Sequence, residues 1–150
     1  SDIEFWKKFS KNLNVSNVFF YGFVPPKQVA SYQNSFDIVL APYSSKVSVF
    51  GNKGNTSEFM SPLKIFEYMS FSMPILNFAA GESAQFITKY KIGTNIKTLN
   101  PNDFIKKLKK YENIKNLHQE QKKAAKEHFR KLFTSEKIYD SYSKFISKKI

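Results

Sequence analysis

Short apolar segments alternate with helical segments along most of this chain, and this alternation limits the folds that it can adopt. Aromatic and β-branched residues run almost without interruption at Val18–Tyr21, Phe36–Ala41 and Ile75–Phe78, which predicts three strands. Helices are predicted between them, at Lys27–Asn34 and from Ser61 onward. Strands that are apolar on both faces are typical of a parallel sheet covered by helices. We therefore predict an α/β fold.

The remaining segments are predicted to be helical apart from one weak strand. Helices are expected at Ile3–Lys11 and Ser83–Tyr90, and the weak strand at Thr94–Ile96. A basic amphipathic helix starts near Asn102, and the helical pattern continues to Ile150 with a break near residues 133–135. Because no repeat or linker is visible, we expect residues 1–150 to form one domain, with the helices from about residue 102 to 150 packing on it.

Composition excludes several kinds of chemistry. The chain has no cysteine, which rules out disulfides, thiolate catalysis and cysteine-ligated metal sites. The two histidines, His118 and His128, lie in a lysine-rich stretch without a carboxylate cluster, so we expect no metal site. No apolar run approaches the roughly 18 residues that span a bilayer, and the N-terminus does not resemble a secretory signal. We expect a cytoplasmic location.

The charge is strongly basic and unevenly distributed. The formal net charge is +12, and the segment from Asn102 onward, with 14 basic and 6 acidic residues, contributes +8 of it. Such a balance suits a non-catalytic module that binds nucleic acid or an anionic membrane surface. Arg130 is the only arginine, which weakens the nucleic-acid interpretation because arginine reads bases and phosphates in bidentate fashion. The lysines of the basic helix, a face that in helices of this kind is usually merely solvated, are Lys106, Lys107, Lys109 and Lys110.

Ligands of an open parallel sheet bind outside the carboxyl ends of its strands, where loops lead into helices. Three such loops are informative, namely Gly22–Pro25, the long segment Tyr43–Met60 and Ala79–Glu82. The helix that starts at Ser61 and Pro62 follows the second loop. Its unpaired N–H groups and positive dipole end form a ready site for an anion.

Two charged residues follow in the same helix. Lys64 in the first turn opposes the helix dipole, and an anion bound there would relieve the conflict, although a lysine at this position could also be simply solvated. Glu67 lies three residues later and could pair with Lys64 on the surface. It could instead accept hydrogen bonds from the hydroxyls of a sugar, and spacing alone does not decide between the two.

Three stretches together resemble a known family. They are Val18–Val24 (VFFYGFV), Phe36–Tyr43 (FDIVLAPY) and Ser61–Leu76 (SPLKIFEYMSFSMPIL). In this order they resemble the C-terminal, donor-binding domain of group 1 (family 4) glycosyltransferases of the GT-B fold. The resemblance implies a Rossmann-like parallel sheet with helices on both faces, forming the C-terminal half of a two-domain enzyme. The chain then corresponds to one nucleotide-sugar-binding domain, and we expect it to be a fragment that is inactive alone.

The resemblance also assigns roles to residues. It implies that Glu67 holds the ribose hydroxyls of a nucleotide diphosphate sugar and that the first turn of its helix faces the diphosphate. The family motif has a second glutamate with seven residues between the two, and Phe59 occupies that position here, so Glu58 beside it is the candidate substitute. The predicted nucleotide-sugar-binding residues are Gly22, Phe23 and Val24 near the base, with Glu58, Ser61, Pro62, Leu63, Lys64 and Glu67.

The expected reaction is transfer of a glycosyl group with retention of configuration. Departure of the nucleotide diphosphate develops negative charge, for which the helix N–H groups and Lys64, as the catalytic residue, are the candidate stabilisers. No Asp-x-Asp pair is present to hold a metal, and no cofactor is expected. The resemblance implies a sugar or lipid-linked glycan acceptor bound through an N-terminal domain and a role in bacterial surface polysaccharide or glycoconjugate synthesis. An anionic membrane surface is a further expected partner, with the enzyme peripheral on its inner face, and nucleic acid is not.

Overall fold

A computed structural model describes residues 2–42, 63–78, 80–96, 100–113 and 115–148. The chain divides into two compact units, residues 1–32 and 33–150, with one helix running across the division. The helices are α1 (Asp2–Asn12), α2 (Pro26–Asn34), α3 (Leu63–Ser70), α4 (Gly81–Tyr90), α5 (Pro101–Asn113), α6 (Lys115–His128) and α7 (Ser135–Ser147), with a π-helical turn at Phe129–Phe133. The strands are β1 (Val39–Ala41), β2 (Ile75–Asn77) and β3 (Gly93–Asn95).

The first unit contains α1 and an irregular segment that leads into α2. Phe5, Trp6 and Phe9 form a cluster of ring contacts on α1, with centroids 5.2 to 6.2 Å apart, and all three are largely exposed. The strand predicted at Val18–Tyr21 is wrong, because these residues have no regular backbone structure. Phe19 is 71% exposed, and among the described residues no strand pairs with this segment. An apolar run without a ladder partner has nothing to satisfy its backbone groups as a strand.

The second unit is built on a parallel sheet of three strands in the order β1-β2-β3. Val39 lies opposite Ile75, which lies opposite Gly93, and the register continues without a bulge to Ala41, Asn77 and Asn95. All three residues of β2 are buried, as expected for a strand covered on both faces. The predicted α/β fold class is confirmed. β1 and β2 are shorter than predicted, β1 beginning at Val39 and β2 ending at Asn77, and β3 lies one residue earlier than the strand predicted at Thr94–Ile96.

The two faces of the sheet are covered by different helices. Val39, Ala41 and Ile75 point to one face, where they share a core with residues of α3 and α4 and with Ala125 of α6. On the other face, the Thr94 hydroxyl donates to the Tyr111 hydroxyl of α5 at 2.7 Å. That hydroxyl in turn donates to Gln121 Oε1 at 2.9 Å, which links α5 and α6. Burial of the Tyr111 phenol raises its pKa, so it remains a donor at neutral pH.

An aromatic cluster joins the helices of the first face to the C-terminal part of the chain. Phe133, at the end of the π-helical turn, lies 5.3 to 5.5 Å from the rings of Phe66, Phe86 and Tyr90. Ring contacts of this geometry add to the burial of apolar area. The break predicted near residues 133–135 is confirmed, since α7 begins there with Thr134 as its cap.

We predict that Gly93→Ala disrupts the sheet. A Cβ at Gly93 would overlap the carbonyl oxygen of Ile75 and lie 2.9 Å from its carbonyl carbon, so β3 would have to move away from β2. The expected loss is about 3 kcal/mol in the free energy of unfolding, measured by urea denaturation. Gly22→Ala is the control, because no atom of the described residues lies within 4 Å of the added Cβ and only its left-handed backbone (φ +71°) costs about 1 kcal/mol. Equal losses for the two variants would contradict the close approach of β3 to β2.

Candidate functional site

The first turn of α3 lies at the carboxyl edge of the sheet. This placement follows from topology, because α3 connects the parallel strands β1 and β2 and must run back along the sheet. Its C-terminal end is tied to the entry of β2 by a hydrogen bond from Met73 N to Tyr68 O at 3.0 Å. Ile65 and Met69 are buried against the sheet, which leaves Lys64 and Glu67 exposed on α3. A helix in this position presents its N-terminus to the edge where ligands of α/β sheets bind.

The structure describes only some of the site residues predicted around the start of α3. Leu63 is the first residue of α3 and is 84% exposed, and Lys64 follows it with an exposed side chain. Glu58, Ser61 and Pro62 lie outside the described residues, so their predicted roles stay predictions.

Glu67 is held by a residue that the sequence analysis did not select. Gln33, at the end of α2, donates from its Nε2 to Glu67 Oε1 at 2.5 Å. The surface pair between Lys64 and Glu67, the alternative left open by spacing, is wrong for this structure. Within the described ranges the ion pairs are Lys7–Glu4, Lys123–Glu127 and Lys144–Asp140.

The side-chain amide of Gln33 lies in an unusual environment. Its side chain is only 7% exposed, and its Oε1 is buried without a hydrogen-bond partner in the described part of the chain. A sequence signal for this residue existed: Gln33 lies four residues after Val29 and three after Ala30, so it shares one face of α2 with these two apolar, partly buried residues. A polar residue on an inward helix face needs a partner, and that partner is Glu67.

Tyr68 adds a phenol next to Glu67 in sequence. Its pKa is raised first by burial and further by the negative charge of the Glu67 carboxylate. The phenol therefore stays protonated over the physiological range. The Tyr68 ring is partly buried and packs against the hydrophobic core.

A second group of polar residues stands at the carboxyl ends of β2 and β3. Asn77 is fully buried, and its Nδ2 donates to Asn95 Oδ1 at 2.8 Å. Asn95 in turn donates to Ala84 O at 2.8 Å and to Thr88 Oγ1 at 2.9 Å, which fastens β3 to α4. The sequence analysis did not select either asparagine, although Asn77 interrupts an apolar run. Their amides bond within the fold, which assigns them a structural role.

The loop predicted at Ala79–Glu82 contributes to a cavity beside these asparagines. Ala80 and Gly81 line it, and Ala79 lies outside the described residues. The cavity measures about 690 Å³ and is bounded mainly by α4 and the end of β3. Neither Lys64 nor Glu67 is among the described residues that line the cavity, so the cavity is separate from the first turn of α3.

Gly22, Phe23 and Val24, predicted near the base, belong to the first unit. Gly22 has a positive φ of +71°, Phe23 is 87% exposed and Val24 is half-buried. A role for these three residues in nucleotide binding stays a prediction.

Among the residues that the structure describes, no three His, Asp or Glu side chains are grouped so that they could hold a metal ion. Within these ranges no helix is both long and apolar enough to cross a bilayer.

Comparison with known proteins identifies the family. The family model for glycosyl transferases group 1 matches residues 3–128, which include all three strands of the sheet, α3 and Glu67. No curated protein and no solved structure gives a significant match to the chain. Because the family model covers most of the sequence, the chain belongs to the group 1 glycosyl transferases, as the resemblance implied.

Proposed function

We propose that this chain binds the nucleotide diphosphate part of a sugar donor and supports transfer of the glycosyl group, with retention of configuration, to an acceptor. The observation that carries the proposal is the arrangement of α3, whose first turn stands at the carboxyl edge of the sheet with Lys64 and Glu67 exposed. Family membership supports glycosyl transfer in general. The chemistry of these residues narrows the ligand to an anionic, hydroxyl-rich molecule.

Lys64 and the start of α3 suit the diphosphate. In the described residues the Lys64 ammonium has no ion-pair partner, and the dipole of its own helix disfavours a cation in the first turn. A diphosphate would accept hydrogen bonds from the backbone N–H groups of Ser61 and Leu63 and would pair with the lysine, whereas Pro62 has no N–H to donate. The same donors would stabilise the negative charge that develops as the nucleotide diphosphate leaves.

Glu67 suits the ribose. A carboxylate accepts hydrogen bonds and donates none, so it matches a pair of sugar hydroxyls. One of its oxygens is already fixed by Gln33, which limits the rotation of the carboxylate before a ligand arrives. Glu58 is the proposed additional sugar contact.

The remaining parts of the reaction are proposed from the resemblance alone. The acceptor, a sugar or a lipid-linked glycan, would bind to an N-terminal domain of a two-domain enzyme, and residues 1–150 would not turn over by themselves. The product would enter bacterial surface polysaccharide or glycoconjugate synthesis. A cytoplasmic enzyme at the inner face of the membrane fits these partners.

Replacing Glu67 tests the ribose contact. We expect Glu67→Ala to weaken binding of the nucleoside diphosphate that binds best among UDP, GDP and ADP by about tenfold, the effect of losing a charged hydrogen-bond acceptor, as measured by calorimetry. The variant also leaves the Gln33 amide unpaired, so binding is measured well below its unfolding temperature. Glu136→Ala, which removes an exposed first-turn glutamate of α7, is the control and should bind as the wild type does. Equal affinities of all three proteins would assign Glu67 no role in binding.

Replacing Lys64 tests the diphosphate contact. We expect Lys64→Ala to lower the affinity for the nucleoside diphosphate by about five- to tenfold and the affinity for the parent nucleoside by less than about twofold, because only the former carries the charge that the ammonium pairs with. Titrations monitored by NMR measure both constants. Lys106→Ala on α5 provides a control of equal charge change. A parallel loss for nucleoside and diphosphate would contradict the assignment of Lys64.

A second candidate function, peripheral binding to an anionic membrane surface, is favoured by α7. This helix exposes Tyr139, Tyr142 and Phe145 by 73%, 63% and 57%, within the basic C-terminal third of the chain. Exposed aromatic residues beside lysines are typical of helices that lie in a bilayer interface.

Vesicle binding tests this second function. We expect sedimentation with vesicles rich in phosphatidylglycerol, decreasing as salt increases, and weaker binding of the double variant Tyr142→Ser, Phe145→Ser. Ser143→Ala is the control on the same helix. Binding to neutral and anionic vesicles to the same extent, or no effect of the double variant, would refute the assignment.

A further inference from the structure

We infer that a groove between α3 and α7 binds one acyl chain of an anionic membrane phospholipid. The groove measures about 720 Å³ and is walled by the start of α3, the π-helical turn and α7. The residues that line it include Leu63, Phe66, Phe133, Ile138, Ser141 and Phe145. The inference rests on the second candidate function, peripheral binding to an anionic membrane surface, and deepens it, because it names the part of the lipid that the chain holds.

The apolar residues of α7 form one broad face of the helix. Ile138, Tyr142 and Phe145 are spaced three and four residues apart and line the groove, and Tyr139 and Ile146 continue the same face beside it. All five side chains are exposed, and no residue of α7, all of which the structure describes, is buried. Most amphipathic helices of globular proteins gain their stability by burying this face. The apolar face of α7 is therefore open to a ligand.

The opposite wall of the groove is fixed by the fold. The rings of Phe66 and Phe133 contact each other at 5.3 Å, and both pack against the hydrophobic core. Leu63, in the first turn of α3, belongs to the same lining although its side chain is almost fully exposed. The groove thus has one preformed apolar wall and faces the exposed residues of α7.

The lining favours a hydrocarbon chain over a polypeptide. Apart from the Ser141 hydroxyl and the Tyr142 phenol, the described side chains that line the groove are entirely apolar. The walls are helical and offer no strand edge, so an extended peptide would find no partners for its backbone N–H and C=O groups. A hydrocarbon chain has no polar groups to satisfy and gains from each methylene that leaves water.

The basic residues beside the groove favour an anionic lipid. Lys131 and Lys137 are exposed, and each adjoins a residue of the lining in sequence. Among the described residues neither lysine has an ion-pair partner, whereas Lys144 on the same helix pairs with Asp140 at 2.9 Å. Lysines beside an apolar surface can extend their ammonium groups to a lipid phosphate at its rim.

Binding of soluble single-chain lipids to the full 150-residue chain tests the inference. The probes are lysophosphatidylglycerols of increasing chain length, kept below their critical micelle concentrations and titrated by calorimetry. We expect one lipid to bind to each chain, with the affinity rising about tenfold for each pair of added methylenes until the groove is full. Lysophosphatidylcholine of the same chain length should bind about fivefold more weakly, because it has no net charge, and glycerol phosphate alone should not bind measurably.

A variant that fills the groove distinguishes it from the outer surface of α7. Ser141→Phe adds a ring to the lining without removing an apolar residue, and we expect it to weaken binding of lysophosphatidylglycerol by about tenfold or more. Ser143→Phe adds the same ring on the polar side of α7, where Asp140 and Ser147 lie, and should bind the lipid as the wild type does. Tyr139→Ser should weaken binding to vesicles and leave binding of the single lipid unchanged.

A spin-labelled probe locates the lipid in the wild-type protein, where no variant needs to fold. Lysophosphatidylglycerol with a nitroxide on its acyl chain should broaden the methyl NMR signals of Leu132 and Ile138. The methyl signals of Ile105 on α5, which packs on the other face of the sheet, should broaden much less. Equal broadening at the three residues would overturn the assignment to the groove.

The other contradicting results are distinct. Wild-type protein that binds no lysophosphatidylglycerol but still sediments with vesicles overturns the groove site and leaves peripheral binding standing. A single lipid that binds to a chain that does not sediment with vesicles supports the groove and overturns peripheral binding alone. An affinity that is independent of chain length, or unchanged in Ser141→Phe, overturns the groove site, and equal binding of lysophosphatidylcholine overturns the choice of an anionic lipid. A wild type that is dimeric in ultracentrifugation and monomeric as Ser141→Phe assigns the groove to a second copy of the chain and overturns the inference.

Discussion

The parallel pairing of β2 with a strand on each side is the constraint on which the rest of the second unit depends. Ile75, Leu76 and Asn77 are completely buried, and β3 can approach them because Gly93 has no Cβ to meet the Ile75 carbonyl. Parallel strands place their carboxyl ends at one edge, and the helix between β1 and β2 must then begin there. The position of the candidate site is therefore a consequence of the sheet.

Packing divides the residues of α3 between the fold and the site. Ile65 and Met69 are buried in the core with Ile75, which fixes the rotation of the helix. That rotation exposes Lys64, and Glu67 bonds to Gln33 instead of pairing with Lys64, three residues before it. A carboxylate restrained by a buried amide loses less rotational freedom on binding than a freely rotating one. The same apolar contacts that stabilise the domain thus prepare the polar side of the helix for a ligand.

The sequence predicted the elements whose signals are local and missed those that depend on partners. Proline and glycine positions located α2, α3 and α4 to within a few residues, because these residues restrict the backbone directly. Val18–Tyr21 has the composition of a strand, but a strand also requires a neighbour, and none among the described residues supplies one. Spacing suggested a Lys64–Glu67 pair, whereas the contact with Gln33 joins residues 34 positions apart and could not be read from periodicity.

The most direct test of the account is to map a nucleoside diphosphate onto the chain. In an ¹⁵N NMR titration with UDP, GDP and ADP, the backbone amides at the start of α3 and the side-chain amide of Gln33 should show the largest shifts, saturating with one ligand for each chain. Shifts confined to the lysine-rich helices α5 and α6, or no saturable shift at millimolar ligand, would contradict the claim that α3 and Glu67 form a donor site.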